Sequence, residues 1–200
     1  MSEFTRRDLV KIALAVTSAG GSIDMASAQH VHETAAADKA ATGGVYKPKA
    51  FTDHEYVTLR KLAELIVPAD DVSPSALESG ASEFIDLLCS NNVELASTYT
   101  GGMAWLDREM MRRYHSNFVA AKPEQQTAML DLLAFRKNAV ESPELGPGIR
   151  FFDWVRMMVV DAFYTSKAGV KDIGYLGNKG MAKFEIPQEA IDYALKRSPI

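Results

Sequence analysis

Cysteine is nearly missing from this sequence: Cys89 stands alone among 200 residues. A single thiol cannot close an internal disulfide, hold an iron–sulfur cluster or supply a Cys-x-x-Cys-His haem attachment, so packing has to stabilise the fold. Basic residues are not in excess either. Lysine and arginine total 22 against 26 aspartates and glutamates, a net charge of −4, which lacks the positive footprint that nucleic acid requires. No apolar run approaches the roughly 20 residues that span a bilayer. Alternating apolar–polar runs and internal repeats are also missing, which argues against sheets and solenoids. Residues Gly174-Tyr175-Leu176-Gly177-Asn178-Lys179-Gly180 are glycine-rich, but lack the spacing and preceding strand of a dinucleotide loop.

What is there begins at the N-terminus. Arg6 and Arg7 are followed by Leu9 and Lys11, then by an apolar stretch from Ile12 to Ala19, then by Ala26-Ser27-Ala28. A charged start, a short apolar middle and a small-residue end are the parts of a secretory signal. The paired arginines directly before the apolar stretch mark the twin-arginine route, with cleavage expected after Ala28. Removal of residues 1–28 takes three basic and three acidic residues, so the remainder keeps the net charge of −4. That remainder has the length of one domain with a real core. Twin-arginine export carries proteins that are already folded, often with a cofactor or partner attached, a service this chain has no evident need of for itself.

Residues 29–50 are rich in Ala, Thr, Gly and Lys and poor in large apolar side chains, and are expected to form a flexible linker. His30 and His32 are expected to be solvated there. The folded domain is expected over residues 51–200. Thr52 and Glu55 have capping-box spacing, and Tyr56, Leu59, Leu62, Ala63 and Ile66 recur at helical period until Pro68. A long turn containing Asp70, Asp71 and Pro74 follows. A second helix carries Phe84, Ile85, Leu88 and Cys89. Gly101-Gly102 is expected to punctuate the chain before a third helix bearing Met103, Leu106, Met110, Tyr114 and Phe118. Pro123 opens a fourth. Ser142–Gly148 reads as a loop, Ile149–Phe163 as the most apolar helix, Thr165–Phe184 as mostly irregular, and Pro187–Leu195 as a short helix. The expectation is an all-α domain of five or six helices with an irregular glycine- and aromatic-rich C-terminal segment behind a disordered leader.

Candidate chemistry is sparse. Asp70, Asp71 and His115 are the residues that a metal-assisted hydrolase would use, and a stand-alone small-ligand module is a further alternative. A solvated turn accounts for the two aspartates, and exposure for His54 and His115. Cys89, on an apolar face, reads as a buried, inert thiol. Met103, Met110, Met111, Met157 and Met158 read mainly as core filling. Aromatic residues gather late: Phe163, Tyr164, Tyr175 and Phe184 lie in or beside a weakly self-structuring segment. With Trp105, they are the candidates for contact with another protein.

Several blocks in order, Leu62-Ala63-Glu64-Leu65-Ile66-Val67-Pro68-Ala69-Asp70, Pro74, Gly80-Ala81 with Phe84-Ile85-Asp86, Phe163-Tyr164-Thr165-Ser166 and Ile173-Gly174-Tyr175-Leu176-Gly177, resemble the gluconate 2-dehydrogenase subunit 3 family. Residues Ser75–Ser79 depart from the more glycine-rich stretch usual there. The resemblance implies an accessory subunit of a membrane-associated sugar or polyol dehydrogenase complex. Its large catalytic subunit binds FAD, and a multihaem cytochrome c subunit takes the electrons. The small subunit would bring the large one to the twin-arginine translocase, reside with it in the periplasm at the inner membrane, and bind no cofactor itself. The family supplies no catalytic residues to place on this chain.

Overall fold

The computed structural model describes residues 25–174 and 186–198. Among these residues there are nine α-helices, one short 3-10 turn and no strand. The all-α expectation holds. The six expected helices are present, and three more join them.

The first addition is α1, Met25–Ala41, which corrects the linker reading of residues 29–50. The sequence pattern is silent there because the contact face is built from small side chains. Ala28, Val31 and Ala35 are its buried residues, and alanine is the best helix former while allowing a close approach. The chain after α1 is not free either. Asp86, fully buried, accepts from the Tyr46 hydroxyl (2.9 Å) and from the backbone amides of Lys49 (2.8 Å), Ala50 (3.0 Å) and Phe51 (3.3 Å). One carboxylate thus pins the entry to the next helix.

That helix, α2 (Asp53–Ile66), starts with the expected capping box between Thr52 and Glu55 and ends at Val67, before Pro68. Phe51 and Tyr56 are both buried, as a hydrophobic staple requires. Helix α3 (Ala81–Ser90) follows Gly80, whose φ of 85° is the left-handed conformation that glycine adopts freely. Every residue from Ala81 to Cys89 is buried, so α3 is enclosed all round rather than amphipathic.

Helix α4 runs from Val93 to Tyr114 without a break at Gly101-Gly102, which corrects the punctuation expected there. The reason lies across the core in α7 (Gly146–Tyr164). A Cβ on Gly102 would stand 2.0 Å from the Phe151 ring, and a Cβ on Gly148 would stand 2.0 Å from the Trp105 ring. Each helix gives up a side chain where the other inserts an aromatic ring. Gly146 and Gly148, expected in a loop, therefore belong to the first turn of α7. Between these helices come α5 (Pro123–Ala134), the short α6 (Asn138–Glu141) and the 3-10 turn Pro143–Leu145.

Helix α7 is the hub, touching α2, α3, α4, α5 and the next helix, α8 (Lys167–Asp172). Helix α8 falls within the stretch expected to be irregular. Ser166 caps it by accepting from the Gly169 amide, and Ser73 donates to Asp172, tying α8 to the proline-rich turn. Helix α9 (Gln188–Arg197) buries none of its residues. No described helix is long and apolar enough to cross a membrane.

Candidate functional site

The residues proposed for metal-assisted hydrolysis do not form a centre. Asp70 Oδ1 accepts from the amides of Val72 (2.8 Å) and Ser73 (2.7 Å), and these bonds hold its carboxyl below the ordinary range. It closes a turn. His115 caps the end of α4 with a left-handed φ of 54° and is exposed. Among the described residues, no three His, Cys, Asp or Glu side chains are placed to share a metal ion. His54 is exposed as expected but is engaged: its Nε2 lies 2.5 Å from Asp107 Oδ2, while Asp107 Oδ1 accepts from the Phe118 amide. The buried Cys89 thiol is pushed well above its usual range by burial, so it holds its proton and is a poor nucleophile.

Two concave regions stand out among the described residues. The first is a cleft of about 610 Å³ between α1, the Glu78–Glu83 stretch and α8. Its polar lining includes His32, Lys39, Glu83, Thr165 and Lys167. His32 is not the solvated residue expected. Its ring lies 4.6 Å from that of Phe84, and its Nε2 is 3.1 Å from Thr165 Oγ1. The Thr165 hydroxyl is also 2.7 Å from the Asp161 carbonyl, to which it donates. Burial lowers the His32 pKa, partly offset by the Ala162 carbonyl, and so favours the neutral ring. Lys39 meets Glu83 at 3.1 Å. These pairs fasten α1 to the body.

The second region is a groove of about 570 Å³ on the outer side of α7, lined by Arg136, Asp153, Trp154, Arg156, Met157, Val160 and Asp161. Trp154 and Met157 are half-buried and Val160 is exposed. Asp153 takes Arg136 at 2.8 Å and Arg156 at 3.0 Å, which sets both guanidinium groups beside the apolar stripe. Asp161 has one carboxylate oxygen buried without a hydrogen-bond partner, and burial raises its pKa. An aromatic ring, a methionine and two arginines along one groove have the composition of a protein-contact surface.

The expected contact residues divide. Phe163 is 1% exposed and belongs to the core, so it is withdrawn as a contact residue; its position on α7 points it inward. Trp105 is half-buried over Gly148, its ring filling the space that glycine leaves. Tyr164 is half-buried, edge-on to Phe163 at 5.0 Å. Tyr175 and Phe184 lie outside the described residues, as do Arg6, Arg7, Leu9 and Lys11. Ala26 and Ala28 fall in the first turn of α1, with Ala28 fully buried. The sequence does not single out Trp154, and Met157 reads there as core filling; the signal that could have placed them is the charged set Arg150, Asp153 and Asp161, which recurs at helical spacing on the same side of α7.

Comparison with curated proteins and with solved structures returns no match. A family model described as gluconate 2-dehydrogenase subunit 3 matches residues 53–182, from the start of α2 to beyond α8 and leaving out α1 and α9. The match spans well over half of the chain, and it covers each of the ordered blocks noted in the sequence. The chain belongs to the gluconate 2-dehydrogenase subunit 3 family.

Proposed function

We propose that the protein is the non-catalytic small subunit of a flavin-dependent sugar or polyol dehydrogenase complex. It carries the FAD-bearing catalytic subunit through twin-arginine export and stabilises it afterwards. Membership in the subunit 3 family carries this reading. The twin-arginine pattern around Arg6 and Arg7 supports it, because folded-state export suits a partner loaded with cofactor. On this reading the FAD sits in the large subunit and haem c in a cytochrome subunit. The complex works in the periplasm against the inner membrane, and the large subunit chooses the substrate. The groove on α7 is the surface offered to the catalytic subunit: Trp154 and Met157 supply apolar anchors, and Arg136 and Arg156 supply donors for its acidic or carbonyl groups.

The test is coexpression with the flavoprotein. Replacing Arg6 and Arg7 together by lysine should strand both chains and the dehydrogenase activity in the cytoplasm. Arrival of active flavoprotein in the periplasm beside that variant would refute the escort role.

A further inference from the structure

We propose that the Ala28–Gln29 bond is shielded from leader removal in the folded chain, so that the exported subunit keeps residues 1–28. The inference rests on the export reading for its setting and on the geometry of α1 for its content. Ala26-Ser27-Ala28 is the small-residue motif at which cleavage is expected. Yet these three residues are helical, and Ala28 is 0% exposed. A leader-removing protease needs its substrate extended, with the backbone free of helical hydrogen bonds and the small side chains available to its pockets. Here the last small side chain of the motif is packed beneath α1.

The shield is fastened well beyond the motif itself. Val31 (0% exposed) and Ala35 continue the buried stripe. His32 holds Thr165, Lys39 holds Glu83, and Lys49 pairs with Asp38. Reaching the bond therefore requires local opening of the first turns of α1, and the rate of cutting follows the population of that open form. Cleavage would add water across the bond, leaving a carboxylate on Ala28 and an ammonium on Gln29. That ammonium would begin a shortened helix, at the end where the helix dipole disfavours positive charge. Hydrolysis would also remove Ala28 from the contact face. Folding before export thus places the cleavage motif out of reach before the protease meets it.

The experiment reads intact mass. The full chain, coexpressed with its flavoprotein, is recovered from the periplasmic and membrane fractions as wild type and as the double variant Val31→Asp, Ala35→Asp. The variant leaves Ala26-Ser27-Ala28 unchanged but sets two carboxylates against α3, and hydrogen exchange of the 28–35 amides confirms that α1 has come away. The expected masses are full length for the wild type and a chain beginning at Gln29 for the variant. A wild-type chain beginning at Gln29, or a detached variant that is still uncut, would overturn the proposal. The purified full chains are also incubated with signal peptidase in detergent. If neither chain leaves the cytoplasm but the purified wild type resists and the variant is cut, the export reading fails while the shield stands. If the purified wild type is cut with α1 docked, the shield fails whatever the outcome of export.

Discussion

Gly101 and Gly102 are neighbours in α4 with opposite surroundings. Nothing lies within 4 Å of a Cβ on Gly101, whereas a Cβ on Gly102 would meet the Phe151 ring at 2.0 Å. Alanine gains about 1 kcal/mol over glycine in a helix interior, so Gly101→Ala should raise stability by about 0.5–1 kcal/mol. The same change at Gly102 over-packs the α4–α7 contact and should cost about 1–3 kcal/mol net of that gain. Paired thermal or urea unfolding curves would decide it, and a stabilising Gly102→Ala would contradict the packing described. Asp86 offers a second residue-scale prediction. Asp86→Ala leaves the Tyr46 hydroxyl and three backbone amides without their acceptor, and should destabilise the fold by about 3 kcal/mol or more. Chemical denaturation measures the loss, and an unchanged midpoint would mean that residues 46–51 are not held through this carboxylate.

Among the elements, α1 carries a docking contact expected to respond to pH. Burial places the His32 pKa below the ordinary value of 6.5, so the undocked helix binds the proton more readily than the docked one. The sign follows directly. Docking is at full strength above about pH 6.5 and weakens as pH falls through the interval between that value and the docked pKa. Glu33, Glu78 and Glu83, with Lys39 and Lys167, line the same cleft, and the influences on the ring are burial first and the Ala162 carbonyl second. Hydrogen exchange across residues 28–35, corrected for intrinsic rates, should show lost protection on acidification, and His32→Gln should remove that dependence. The helices whose contacts use large apolar residues at regular spacing, α2 and α5 among them, were legible in the sequence because period and caps agree there. Helix α1 was not, since Ala28, Val31 and Ala35 carry too little hydrophobic signal to stand out from a polar linker. Helix α8 was hidden for a different reason: it is six residues long and depends on Ser166 and on the distant Ser73.

For the molecule as a whole, the question is which surface meets the partner. Trp154→Ala with Met157→Ala removes the apolar anchors from the α7 groove while the core residues Val155, Met158 and Val159 stay in place. Both side chains pack partly against the core, so the double variant should stay folded but lose about 1–3 kcal/mol of stability, and lose copurification with the catalytic subunit by about tenfold or more. Undiminished copurification would move the docking surface elsewhere, and the unburied helix α9 would be the next to test. The sequence by itself determined the all-α class, the capping of α2, the lone inert thiol and the family, because those rest on local chemistry and on ordered motifs. Only the tertiary structure decided which aromatics face out, why α4 passes unbroken through two glycines, and that the motif ending in Ala28 is packed against the body. Each of those depends on a partner far away in the chain: Phe151 for Gly102, Trp105 for Gly148, Thr165 for His32. Local pattern carries no record of such contacts until the helices meet.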